Sequence, residues 1–268
     1  MGGVRLALGS GNLIPATQED GRYAPFREGD LPVAASHPIP MGPRRRRDPR
    51  VPGPESALIS AALARHARLI SRQELFLEPA LPTGFPDAVI VVLGRNRLIA
   101  SIARLRLTDL HLRLVQHVFG RGRMALQEIS GDLLWSRRQV DAVAQDLVAA
   151  EIALLDQGEI EIRPLREVFV ARRIIAIEAK IRDWRRAIEQ ARANTWFASH
   201  SFILLPGRRF TAHVAEGAVE AGVGVLTFDG TATAIQIQAE EHPLPTSYGS
   251  WLFNEWALRR AQHRAENA

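Results

Sequence analysis

One segment of this chain sets a carboxylate and an ammonium side by side on what reads as a buried strand. In Ile174-Ile175-Ala176-Ile177-Glu178-Ala179-Lys180, alternation sends Glu178 and Lys180 to one face and Ile175, Ile177 and Ala179 to the other. Ionised groups at the end of an apolar strand need a partner, a metal or water. Another carboxylate, Asp87, opens a second apolar run, Asp87-Ala88-Val89-Ile90-Val91-Val92, behind Phe85-Pro86. The lysine stands out by rarity. Lys and Arg together number 34, and Lys180 is the single Lys among them. Guanidinium is wide, planar and permanently protonated, whereas ammonium is a compact charge that burial can tune. The alternative for these residues is a strand-end ion pair of Glu178 with a neighbouring Arg, with Lys180 incidental. Glu159, Glu161 and Glu167 are the alternatives to Asp87 as the second acid.

These side chains need elements to hold them. Glu55 to Ile70 reads as a helix, with Leu58, Ile59, Ala62 and Leu63 at helical spacing. Gln73 to Leu77, Asp87 to Leu93, Arg173 to Lys180, Ser201 to Leu205 and Val223 to Phe228 read as strands. Asp183 to Asn194 and Val214 to Ala221 read as helices, and Ser250 to Gln262, with Trp251 and Trp256, as a packing helix. Between Thr108 and Leu155 the texture is helical. One helix ends at Gly120, a short one is expected over Met124 to Leu134, and Ser136-Arg137-Arg138-Gln139 opens a third with a capping box. Ile152 to Leu155, a turn at Asp156-Gln157-Gly158 and Glu159 to Ile162 then form a hairpin signal. Three helices and a hairpin resemble a winged helix-turn-helix. In that reading Arg137 and Arg138 lie in the first turn of the recognition helix, where DNA contacts are usually made. The plain alternative is a packing module or a protein contact.

Pro86-Asp87 followed by Glu178-Ala179-Lys180 on a later strand resembles the PD-(D/E)xK nuclease superfamily. The family core runs helix, three strands, helix, strand, and segments 55–70, 73–77, 87–93, 173–180, 183–194 and 201–205 follow that order. The helix Asp183-Trp184-Arg185-Arg186-Ala187-Ile188-Glu189-Gln190 is also similar to nuclease-like proteins that carry a Trp, small apolar residues and a Gln there. The resemblance implies an α/β fold, a restriction-endonuclease-like mixed sheet flanked by helices, with the winged helix-turn-helix-like module inserted. It implies a Mg²⁺-dependent DNA endonuclease, with Mn²⁺ as a substitute cation. Asp87, Glu178 and the carbonyl of Ala179 would hold the cation, with Glu55 nearby. Lys180 would orient the attacking water, and Gln190 would contact the substrate backbone or a water. One departure is the spacing, since Asp87 and Glu178 lie 91 residues apart where the family usually has a short hairpin. An inserted module bridges such a gap at modest entropic cost. The other reading is a DNA-binding regulatory or defence-associated protein whose nuclease core is vestigial.

The expected organisation follows: a disordered Arg/Pro-rich leader over 1–53, core segments 54–104 and 165–248, the module at 105–164 and a C-terminal helix over 249–268. The 268 residues include no Cys, which removes disulfides and thiolate metal sites. The net charge of +5 and a pI near 10.7 fit a polyanionic partner, mildly. DNA is the expected partner, with a homodimer as one expected assembly. No apolar run approaches the ~20 residues of a membrane span, and Met1 to Ser10 lacks a signal-peptide pattern. No membrane association and a cytoplasmic location are expected. The eight His residues form no ligand-like spacing, and His111 and His117 read as ordinary interior or surface side chains. Gly217, Gly222 and Gly224 form no phosphate loop.

Overall fold

The computed structural model describes residues 14–15, 25–26, 53–64, 72–81, 84, 86–94, 101–244 and 246–267. Most of the expected leader lies outside them, apart from an antiparallel pairing of Ile14–Pro15 with Pro25–Phe26. The elements that follow are α1 (Pro54–Leu63), β1 (Gln73–Leu77), β2 (Ala88–Leu93), α2 (Ile102–Leu105), α3 (Asp109–Phe119), β3 (Met124–Ala125), α4 (Leu126–Asp132) and α5 (Arg137–Ala149). Then come β4 (Ala153–Asp156), β5 (Glu159–Ile162), α6 (Leu165–Val168), β6 (Ala171–Ala179), α7 (Trp184–Ala193), β7 (His200–Pro206), α8 (Ala212–Glu220), β8 (Gly224–Phe228), β9 (Thr233–Ile237) and α9 (Tyr248–Glu266).

The chain is a mixed α/β protein. Six strands form one sheet in the order β9-β8-β7-β6-β2-β1. Strands β1, β2 and β6 pair antiparallel, β6, β7 and β8 parallel, and β9 returns antiparallel. The aliphatic runs of β2 and β6 sit in the middle because both of their faces are covered, which a continuous branched sequence permits. Ile90 and Ile177 face α1, whose Leu58, Ile59, Ala62 and Leu63 cover that side. Val89, Val91, Ile174 and Ala176 face the other way, into a core shared with α9 and with the helices between β2 and β6. Further along the sheet, α7 and α8 cover Ile203, Leu205 and Val225. Helix α9 is buried on all sides from Tyr248 to Arg259, with Phe253 packed against Phe76, Phe197 and Trp256.

The stretch between β2 and β6 carries a second sheet of three short strands, ordered β3-β5-β4. Its hairpin turns through Gln157 and Gly158, both with positive φ, 50° and 81°, the mirror-image turn that matches strand twist. Two strands here and in the main sheet escape sequence reading. Met124–Ala125, expected as helix, pairs with Glu159 and Ile160 before the helix begins at Leu126. β9 shows no inward alternation because its central residues are exposed. Helix α1 is described to Leu63, and the remainder of the helix expected to Ile70 lies outside the described residues beyond Ala64. Among the described residues no helix is long and apolar enough to cross a membrane.

Local chemistry fixes the helix starts. Ser136 Oγ accepts the Gln139 backbone N–H at 3.2 Å, the cap read from sequence and worth about 1 kcal/mol. At α3 the reciprocal partner is a histidine. His111 Nδ1 accepts the Thr108 backbone N–H at 2.9 Å, and its Nε2 lies 3.1 Å from Asp146. Nδ1 must be unprotonated to accept, so Nε2–H donates to Asp146. Burial holds the His111 pKa below its usual value, against the opposing pull of Asp146. The unfolded chain therefore takes up this proton first as pH falls. Stability is full above about pH 6.5 and declines as pH drops from there towards the folded-state pKa. Thermal unfolding between pH 8 and 5 should show this loss. His111→Gln, which keeps a capping-box acceptor, should show less of it. Equal pH slopes for the two proteins would remove His111 as the cause.

Candidate active site

The sheet register assembles the site. Ala88 pairs with Ile177 across β2 and β6, so one residue further Asp87 stands opposite Glu178. Directly opposed residues of an antiparallel pair share a face, with Cβ atoms roughly 5 Å apart. Asp87 closes the strand edge as well. Its Oδ2 accepts the Ala179 backbone N–H at 2.8 Å, replacing a ladder bond where β2 has ended. On the far side, the Lys180 N–H donates to the Leu204 carbonyl at 3.1 Å and holds the end of β6 to β7.

Glu178 is 4% exposed. Its Oε1 accepts Asn194 Nδ2 at 2.7 Å, from the residue that caps the C-terminus of α7. Burial, reinforced by the neighbouring Asp87 carboxylate, pushes the Glu178 carboxyl up to about 8. A hydrogen bond with Asp87 further favours the protonated acid. Asp87 is raised too, first by burial and then by Glu55 and Glu78, against the pull of the Ala179 N–H and Lys180. Two acids held this close out of water keep a proton, since burial and their mutual repulsion outweigh the pull of Lys180. That is the electrostatic setting that a cation reverses.

Lys180 lies beside Asp87. Its Nζ donates to Glu55 Oε2 at 3.2 Å and to the Ala179 carbonyl at 3.0 Å, and it stands 3.8 Å from Asp87 Oδ2. Glu55 comes from the first turn of α1, where Pro54 starts the helix. Thus Glu55, Asp87, Glu178, Ala179 and Lys180 meet at one end of the sheet. Glu178 has no Arg ion pair among the described residues, so the strand-end Arg pairing is corrected: its partner is Asn194. The alternative second acids are elsewhere. Glu159 binds Arg123 at 2.7 Å, Glu161 lies on the same hairpin, and Glu167 lies 3.6 Å from Arg163.

Gln190 lies on α7 one turn before Asn194, and its Oε1 is buried with no hydrogen-bond partner among the described residues. Asn194 is the site residue that sequence reading missed. The signal was its place four residues after Gln190, on the inward stripe with Ala187 and Ala191. Arg137 and Arg138 open α5, in the module, and touch none of these groups. Arg137 Nε bonds Asp141 at 2.8 Å, while Arg138 is exposed.

Among the described residues no group of three or more His, Asp or Glu side chains gathers as a metal cage. A cation here would rest on two carboxyls and the Ala179 carbonyl, a donor set that suits Mg²⁺ with waters completing its shell.

No protein-family model matches the chain, and no curated protein matches it. Among solved structures it is similar to the SPO1766 protein of unknown function from Silicibacter pomeroyi. That similarity covers 81% of this chain and 91% of the other, at 13% identity and a TM-score of 0.37.

Proposed function

We propose that this chain is a Mg²⁺-dependent phosphodiesterase that cuts DNA. The observation that carries the reading is the meeting of two carboxyls, Asp87 and Glu178, with the single Lys of the chain at one end of a mixed sheet. The order α1, β1, β2, β6, α7, β7 supports a restriction-endonuclease-like core of the PD-(D/E)xK type, with β2 antiparallel to its neighbours and β7 parallel to β6. The order α3, β3, α4, α5, β4, β5, with β5 between β3 and β4, supports a winged helix-turn-helix-like insertion.

Asp87, Glu178 and the Ala179 carbonyl would hold Mg²⁺, which when bound supplies positive charge beside the phosphoryl oxygens and makes water more acidic. A cation held there would favour the ionised form of Glu178, whose Oε1 Asn194 holds by its 2.7 Å hydrogen bond. Lys180 orients the attacking water and offsets charge that develops on the phosphate. Glu55 steadies the Lys180 ammonium. Gln190, with an unused carbonyl oxygen, accepts a hydrogen from a water at the site.

A second reading is a DNA-binding regulatory or defence-associated protein with an inactive core. One observation favours it: the Lys180 ammonium is already engaged by Glu55 and by the Ala179 carbonyl. Nicking of supercoiled plasmid separates the two. The wild-type chain should nick with Mg²⁺ and not with EDTA, and Asp87→Asn should lose on the order of 100-fold or more in rate. Normal DNA affinity with no Mg²⁺-dependent nicking would give the site to the second reading.

A further inference from the structure

Strands β6, β7 and β8 run parallel, so their C-terminal ends, and the chain leaving each of them, emerge at one edge of the sheet. Asp87, Glu178 and Lys180 lie at that edge. Residues 181–186, 207–211 and 229–232, which leave the three strands, contain five Arg and two Asp, a net of +3. The five are Arg182, Arg185, Arg186, Arg208 and Arg209. All are exposed, and none has a carboxylate within ion-pair distance among the described residues. The two Asp are already committed to backbone. Asp183 Oδ1 accepts the Arg186 N–H, and Asp229 Oδ1 accepts the N–H groups of Thr231 and Ala232.

The inserted module is the opposite case. Residues 105–164 contain seven Arg and nine Asp or Glu, a net of −2. Arg123 is held by Asp156 and Glu159, Arg137 by Asp141, and Arg163 lies beside Glu167. An arginine already paired releases little when it meets a phosphate, because one anion replaces another. A free, hydrated arginine adds a full contact and displaces counterions from the nucleic acid.

We propose that the DNA backbone runs along this sheet edge, held by Arg182, Arg185, Arg186, Arg208 and Arg209, and that the inserted module carries a minor share of the electrostatic binding. This inference rests on the reading of the site as one that acts on DNA. The scale agrees. Three neighbouring strand ends span roughly 10 Å, an axial run that carries about six phosphates on the two strands of a duplex. A backbone on this track passes beside Lys180, two residues before Arg182.

The test is binding of the full chain to a DNA duplex of about 30 base pairs in EDTA, over a KCl series from about 50 to 300 mM. Arg208→Gln with Arg209→Gln, and separately Arg185→Gln with Arg186→Gln, should each lower the slope of log K against log salt by about two. Each pair should weaken binding on the order of tenfold at low salt. Arg137→Gln with Arg138→Gln should lower the slope by no more than about one, since only Arg138 is free. Thermal unfolding checks that each variant is folded. Unchanged slopes for both edge pairs, or a loss confined to the module pair, would overturn the proposal. Plasmid nicking by the wild type is read separately. No Mg²⁺-dependent nicking with the edge dependence intact removes the catalytic reading alone. Normal nicking with no edge dependence removes the edge alone.

Discussion

Lys180→Arg is expected to yield a folded protein that binds DNA and does not cut it. The Lys180 side chain is 13% exposed, and its Nζ is confined between Glu55, Asp87 and the Ala179 carbonyl. An arginine keeps the charge, so an ion pair with Glu55 would survive the change and activity would barely move. A water-positioning role would not survive, because the wider fork displaces the water and cannot release a proton. Misplacing a reacting group by ~1 Å costs on the order of 100-fold in rate. Glu178→Ala should fail by another route, through loss of the cation, and should also leave Asn194 without its acceptor. The measurement is plasmid nicking with Mg²⁺, beside a binding isotherm and thermal unfolding for each variant. Wild-type cutting by Lys180→Arg would take the catalytic lysine out of the argument.

The largest stability effect is expected at Glu255, far from the site in sequence. Glu255 on α9 is fully buried, and its carboxylate takes the Arg104 guanidinium at 2.7 and 3.3 Å. Arg104 also donates to the Val168 carbonyl at 2.5 Å, and Arg259 donates to the Arg104 carbonyl at 3.2 Å. Next to Glu255, Asn254 Oδ1 accepts the N–H groups of Val170 and Ala171 while its Nδ2 donates to Glu255. Arg104 precedes the stretch that carries the small sheet and Val168 to Ala171 follow it, so this network ties the two ends of that stretch together. Glu255→Ala would strand a buried guanidinium, a loss of about 3–5 kcal/mol. The unfolding midpoint should fall by on the order of 10 °C. Replacing the pair together, Arg104→Met with Glu255→Leu, should recover part of that, because the Arg104 guanidinium leaves with its partner, while buried Arg259 loses the attraction of Glu255 together with the repulsion of Arg104. A midpoint within a degree or two of wild type for Glu255→Ala would show the network to be dispensable.

What could be read from the sequence divides along physical lines. Glu178 and Lys180 were legible because strand alternation is local and because one Lys stands among many Arg. Asp87 was legible as the start of an apolar run, but its contact with the Ala179 N–H depends on register between strands far apart in sequence. Asn194 could be placed on the inward stripe of α7, but its bond to Glu178 appears only once that helix packs on β6. The Arg104–Glu255 pair spans 151 residues, and nothing local marks either side chain as interior. β9 carries mostly exposed side chains, and β3 is two residues long, so neither leaves a periodic trace.

The placement of the module between β2 and β6 also sets an order of events during synthesis. β1 and β2 leave the ribosome as a hairpin, with the hydrogen-bonding edge of β2 open and Val89 and Val91 uncovered. Its partner strand begins at Ala171, about 77 residues later. At ~5–20 residues per second that interval lasts roughly 4–15 s, long beside the microsecond formation of a hairpin. During it the helices and small sheet of the module can fold locally, while an apolar strand edge waits unpaired. Such an edge invites pairing with other chains. Asp87 is therefore made early and matched to Glu178 late, and the open edge of β2 persists through the interval before the two acids meet.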